Sequence, residues 1–250
     1  MTKVGVARLA FVVIVFSALE LLCRLGIITR VTMIPPSEMV TSLWDIVESG
    51  RFNSDISFTF FNVVAAAVVA IGIGFLLGAG LHSLPRLRRP LEPLLSAYYA
   101  IPTFVFYPLL IVAFGVGRTA LVVMGSMFGV VAMIVNTTLG LDHVPPAVER
   151  TGSVLKLDVL RQLILLRLPA AAPHLVTGVK LAVAYSIIGI VAGEFILATA
   201  GIGKRVSFAY DNFDNRTMYG LLLLLLVAVM LVNGALSAWE RRLHRRFGQR

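Results

Sequence analysis

Four stretches of this chain, 56–81, 93–117, 119–141 and 217–239, each run 23 residues or more without an Asp, Glu, Lys or Arg. A helix needs roughly 20 apolar residues to cross the hydrocarbon core of a bilayer, so each is long enough to span it. Lipid offers no partner to backbone N–H and C=O groups, and such runs close their hydrogen bonds within a helix. Two more spans are interrupted by isolated charges: 6–28, with Glu20 and Arg24, and 170–197, with Lys180 and Glu194. Together these predict an all-α fold, a polytopic membrane helix bundle of about six transmembrane helices, with no room for a soluble domain. The composition agrees, since only 14% of residues are charged where a soluble domain carries about a quarter.

The net charge of +9 is first explained by topology. Lys and Arg flanking spans mark the cytoplasmic side. With both termini inside, segments 1–8, 82–92, 142–168 and 240–250 hold fourteen of them, against six on the other side. The basic tail at 240–250 then reads as an anchor on anionic lipid, not as a nucleic-acid site. Cys23 is the only cysteine, which excludes an internal disulfide or a cysteine metal site. Glu20 and Arg24 lie four apart and pair on one helical face, letting the first span continue to Ile28. His82, His143, His174 and His244 have no chelating spacing, so no metal is expected.

The chain divides into an N-terminal transmembrane helix (1–33), an outer amphipathic segment (34–55), a transmembrane domain (56–239) and a basic cytoplasmic tail (240–250). In the outer segment a Pro35-Pro36 turn leads into a short interfacial helix, with Trp44 at headgroup depth. In the second span Ala70, Gly74 and Gly78 recur four apart and admit a neighbouring backbone. Residues 85–90, bounded by prolines, read as a tight basic loop. In the third span Pro93, Pro102 and Pro108 remove backbone donors, and in lipid such breaks persist only against protein or a watery cavity. Tyr98, Tyr99, Pro102, Thr103 and Tyr107 are therefore candidate path residues. In the fifth span Lys180 and Glu194 are fourteen apart, about 21 Å along the axis, too far to pair. Lys180 snorkels toward the cytoplasm. Glu194 either lines the path, with Ser186, or makes a structural hydrogen bond to a neighbouring helix. Gly178, Ala182, Gly189 and Gly193 suit close packing at the path or a dimer seam.

Residues 142–168 form an inner loop too long for a compact bundle unless it is functional. Two short helices are predicted, 145–154 opened by Pro145 and Pro146, and 157–168 closed by Pro169. The second shows Leu160, Leu163, Ile164 and Arg167 at helical spacing, a partly apolar face for lipid or for a partner's groove.

The segment Leu168-Pro169-Ala170-Ala171-Ala172-Pro173, followed by Thr177-Gly178, Gly193-Glu194 and Gly201-Ile202-Gly203, resembles the permease subunits of bacterial ABC importers, in the nitrate/sulfonate/taurine group. Upstream, Ile34-Pro35-Pro36-Ser37, Ile101-Pro102 and Phe114-Gly115-Val116-Gly117 are similar to further elements of that family, so the likeness runs over 34–205. The resemblance implies a type I importer permease fold and a coupling loop that inserts into a separate ATPase subunit. It also implies a second permease chain, expected as a homodimer, and an external solute-binding protein, in the bacterial inner membrane. The coupling residues it implies are Pro145, Pro146, Glu149, Arg150, Thr151, Gly152, Lys156, Leu157, Leu168 and Pro169. The chain departs from the family here: Arg150-Thr151-Gly152 stands at the Glu-Ala-Ala place and Lys156 at a glycine place. A lysine at a position that needs positive φ is strained, so either the turn moves to Gly152-Ser153 or the partner interface differs.

No ATP site is expected in the chain. Residues 198–205 superficially resemble a P-loop, but Ala198 and Arg205 replace its first glycine and its Ser or Thr. ATP and Mg belong to the partner ATPase, this chain binds no cofactor, and it is a transport subunit and not an enzyme. The competing expectation is a secondary transporter or channel, which calls for several ionisable groups at mid-bilayer and an inverted repeat.

Overall fold

The computed structural model describes residues 3–98 and 101–247, and among these all regular structure is helical. Helices α1 (Lys3–Arg24), α2 (Pro36–Ser49), α3 (Asn53–Ser83) and α4 (Pro85–Tyr98) lead to a 3-10 turn (Thr103–Phe106) and α5 (Tyr107–Phe114). Then come α6 (Arg118–Asp142), α7 (Pro146–Val154), α8 (Val159–Gln162), a π turn (Leu163–Arg167), α9 (Leu168–Leu197), α10 (Ile202–Asp211) and α11 (Asn215–Phe247). Four helices, α3, α6, α9 with its π turn, and α11, are long and apolar enough to cross a membrane. The bent pair formed by α4 and the segment Thr103–Phe114 makes a fifth crossing if its two arms count as one span. The 22-residue α1, the remaining expected span, is not one of these, although a rise of about 33 Å is enough for the hydrocarbon core.

The bundle is built around α6, which packs against α3 on one side and α9 on the other. Of its most apolar window 56% is buried inside the protomer, against 6% for α11, which leaves α11 facing outward. Small residues make these contacts possible. A Cβ at Gly74 would lie 2.6 Å from Met133 Cβ, and one at Gly78 would lie 2.7 Å from Thr137 Cβ. On α9, Gly178 meets Asn136, Gly189 lies against Gly125 and Phe128, and Gly193 against Leu121 and Met124. Ala182 and Ser186 face Gly129. The small-residue stripe of α9, expected at the path or a dimer seam, thus packs on α6 of the same chain. Dispersion and backbone approach hold such helices together where lipid removes the hydrophobic drive.

Several local expectations are corrected. Residues 85–90 form the first turns of α4 and not a loop: Pro85 opens the helix, and Pro90 and Pro93 sit on a wholly unburied surface. The third span is not continuous. The axes on the two sides of its break differ by 94°, with Pro102 preceding the 3-10 turn and Pro108 in the first turn of α5. Helix α10 is an additional element that apolar runs alone do not reveal. The amphipathic α2 is held against α11: Ser42 Oγ donates to the Arg216 carbonyl at 2.7 Å, and Ile46 joins Ile202, Val206 and Leu221 in one cluster. Trp44 remains on the outside.

The two charges in α1 pair as expected, Arg24 Nε donating to Glu20 at 2.6 Å. Glu20 also accepts the Ser37 N–H at 3.0 Å, tying α1 to the first turn of α2. Lys180 donates to Glu240 of α11 at 3.1 Å.

Candidate functional site

Three places concentrate polar or irregular structure. The first is a cavity of about 240 Å³ at the break in the third span, lined by Tyr98, Ile101, Pro102, Thr103, Phe104, Phe128, Tyr185 and Ile188. Pro102 marks its position, because it has no N–H with which to continue the helix. Tyr98 is fixed by a hydrogen bond from its hydroxyl to the Met127 carbonyl at 2.9 Å, and Thr103 is buried with its hydroxyl on the Ile101 carbonyl. Tyr98, Pro102 and Thr103, singled out from sequence, are therefore brought together. Tyr99 lies outside the described residues. Tyr107 is wholly buried in an apolar cluster with Ala66, Leu121 and Ile190, away from the cavity lining. Sequence reading missed Ile101, Phe104 and Phe128 as lining residues, and on α9 it missed Tyr185 and Ile188. The signal was helical phase: Ser186 and Gly189 turn toward α6, so the next residues round the helix face elsewhere.

The cavity opens beside a second feature. An apolar groove of about 630 Å³ runs between α9, α10 and α11, and it shares Phe104 and Ile188 with the cavity. Both shared residues are about half exposed.

The second place is a buried polar clamp at the end of the bundle opposite the α6–α9 loop. Glu194 is 0% exposed. Its Oε2 accepts the Thr59 hydroxyl at 2.8 Å and the Gly203 N–H at 3.1 Å. Thr59 Oγ1 accepts the Ile202 N–H at 2.9 Å, and Asp55 accepts both the Gly201 N–H at 3.0 Å and Arg205 Nε at 2.8 Å. The first N–H groups of a helix attract anions. In the segment that resembles a P-loop, that role is taken by this chain's own side chains, so the N-terminus of α10 is filled from within. Gly201, at φ +108°, lies directly on the Glu194 carboxyl. Glu194 and Ser186, both fully buried, do not line the cavity, and the structure gives Glu194 the helix-to-helix hydrogen bond that was one of its two expected roles.

The third place is the loop from Asp142 to Leu168, folded as a helical hairpin. Asp142 anchors its base, pairing with His82 of α3 at 2.8 Å and with Arg88 of α4 at 2.6 Å. Val148 of α7 and Leu163 both pack on a cluster of Leu141, Val144 and Ala171. Gly152 permits the close approach, since a Cβ there would meet the Gln162 side chain at 2.8 Å. Between the helices Lys156 adopts φ +51°, and the Leu157 N–H closes on the Gly152 carbonyl at 3.1 Å. The turn thus stays at Lys156 and does not move to Gly152-Ser153. Pro145, Pro146, Arg150 and Thr151 are exposed, and Leu157 is half-buried. The side chain of Glu149 lies outside the described residues. Leu168 and Pro169 open α9, and Pro169 has no N–H to offer residue 165. The preceding π turn, with the Leu168 N–H on the Leu163 carbonyl, absorbs that loss.

The family described as "Binding-protein-dependent transport system inner membrane component" matches residues 70–249. A nitrate import permease protein, NrtB, of Leptolyngbya laminosa is 28% identical over 173 residues, covering 69% of this chain. The match spans 59% of that protein's own length. The taurine transport system permease protein TauC of Escherichia coli is 24% identical over 88% of this chain and 82% of its own. The putative aliphatic sulfonates transport permease protein SsuC of Bacillus subtilis is 21% identical over 92% and 83%. In fold, a chain of the inward-facing MetNI methionine ABC transporter superposes with a TM-score of 0.61 at 18% identity, covering 82% of this chain and 95% of that one.

Proposed function

The chain belongs to the family of binding-protein-dependent transport system inner membrane components, and on that premise we propose that it is the permease subunit of an ATP-driven importer. It sits in the bacterial inner membrane, with the hairpin Asp142–Leu168 in the cytoplasm. A separate ATPase subunit, which binds the ATP and Mg, docks on that hairpin. An external binding protein delivers a small solute of the nitrate, sulfonate or taurine kind.

The observation that carries this reading is the hairpin itself. It is anchored through Asp142 to α3 and α4 and is continuous with α9, so a push on it reaches three helices at once. Rigid elements joined in this way move as units between alternative packings. The path runs past Tyr98, Thr103 and Tyr185, and one protomer supplies half of it. Phe104 and Ile188 border both the cavity and the open apolar groove, which suits closure by a second copy of the chain. An ion-driven mechanism needs free titratable groups at mid-bilayer. Here Lys180 is engaged by Glu240, and Glu194 by Thr59 and Gly203, which weighs against it.

The test is co-purification of an ATP-hydrolysing subunit with the tagged full chain. It is expected with the native hairpin and absent when residues 146–158 are replaced by a Gly-Ser linker, with membrane insertion unchanged. Retained co-purification would sink the reading. Mass spectrometry of the solute carried by the co-expressed binding protein then identifies the substrate.

A further inference from the structure

The outward face of the hairpin carries a chemistry that says what receives it. On α7, Ala147, Arg150, Thr151 and Val154 are all exposed and recur at i, i+3, i+4 and i+7, forming one stripe, while Val148 and Gly152 turn inward. At the tip, Val154 is 80% and Leu155 60% exposed, beside the exposed Lys156. The hairpin's other exposed cation, Arg161, already faces Asp158 at 3.5 Å. Arg150 and Lys156 have no ion partner among the described residues.

A basic and apolar surface next to a membrane suits either anionic lipid or a protein, and the geometry favours protein. Ala171 packs level with Leu141 and Ala79, at the ends of α6 and α3. From there the helical backbone continues back to Val159 through the π turn and α8, a further twelve residues, or about 18 Å along the axis. An arm of that length can carry the tip clear of the headgroups, within reach of a cytoplasmic protein.

We propose that this stripe and tip seat in a cleft of the ATP-hydrolysing subunit that has an apolar floor for Val154 and Leu155 and acidic side chains at its rim facing Arg150 and Lys156. The proposal rests on the transport reading above and adds the charge sign of the partner's docking site. Rim charges of this kind set orientation and on-rate and make binding salt-dependent.

The experiment uses the full chain in nanodiscs and the purified ATP-hydrolysing subunit that co-purifies with it. Binding to the wild-type chain should weaken as salt is raised. The double variant Arg150→Glu, Lys156→Glu should bind about 10-fold or more weakly at low salt, and Arg150→Lys, Lys156→Arg should stay within about twofold of wild type. Unchanged or tighter binding after charge reversal, or salt-independent binding, overturns the proposal. In a Val154→Cys, Cys23→Ala background, the subunit should shield the tip from a membrane-impermeant maleimide. Shielding by phosphatidylglycerol nanodiscs alone would assign the face to lipid and overturn it as well. Failure of the wild-type chain to bind the subunit at all would instead remove the transport reading beneath it.

Discussion

The two ends of the bundle solve opposite problems. At the clamp, two carboxylates are buried, Asp55 at 3% and Glu194 at 0% exposure, and both hold backbone N–H groups of a turn that only glycine can make. At the hairpin, a lysine occupies a left-handed turn, and the side chains of Val154 and Leu155 before it lie open to solvent. The clamp is over-determined and fixes α3, α9 and α10 as one body. The hairpin is held at its base by Asp142 and at its waist by Gly152, leaving its face free. Regions with few buried contacts open at low free energy, and moving or docking elements are drawn from them. Rigidity at one end and latitude at the other is what a lever needs.

The sharpest way to break this contrast is at Gly201. A Gly201→Val substitution puts a side chain on the Glu194 carboxyl at φ +108°, combining a glycine-only backbone with overpacking. A loss of about 2–6 kcal/mol is expected, read as disappearance of monodisperse protein in fluorescence-detected size-exclusion chromatography. Near-normal yield would show that the clamp is not a rigid body.

Next in size is Glu194→Ala, which strands the Thr59 hydroxyl and the Gly203 N–H in a dry interior. The expected loss is about 2–4 kcal/mol, seen as a lowered thermal midpoint in detergent, with Glu194→Gln recovering part of it. Because Glu194 sits outside the cavity, solute specificity should be unaffected. A change in the transported solute in proteoliposomes would return this residue to the path.

These residues also mark what sequence discloses and what it withholds. Charge-free runs disclose α3, α6 and α11, because lipid demands them whatever the neighbours are. The spacing of Gly74 and Gly78 shows that a backbone approaches, but not which one, since small residues look alike whether they face α6, the path or a second chain. Glu194 is conspicuous as an intramembrane charge, yet its partners lie 135 and 9 residues away, and only the fold joins Thr59 to Gly203. Helix α4 is hidden because prolines past the first turn usually end a helix, and here Pro90 and Pro93 both sit inside one. Lys156 is the reverse case. The glycine place at that position predicts a left-handed turn, and the structure keeps the turn without the glycine.

A smaller effect belongs to the hairpin's waist. In Gly152→Ala the new Cβ meets the flexible end of Gln162 and not backbone, so the neighbour shifts. The loss should be about 1 kcal/mol, visible as faster amide exchange across α7 and no change in the global thermal midpoint. A global destabilisation would mean that the hairpin is as tightly integrated as the clamp.

The smallest change has the opposite sign. Lysine in a left-handed conformation is strained by about 1–2 kcal/mol, and glycine removes that strain while losing some backbone entropy on folding. Lys156→Gly should therefore stabilise the hairpin by about 0.5–1 kcal/mol, slowing exchange of the Leu155 and Leu157 amides, which bond to Thr151 and Gly152, about two- to fivefold. The same substitution removes one of the two cations that the proposed docking would use, so on that proposal loop stability and docking should move in opposite directions. A variant that gains both would show that the lysine serves neither the turn nor the partner. One that gains order and loses affinity would mean that the strain at φ +51° persists because the charge is needed at that point of the turn.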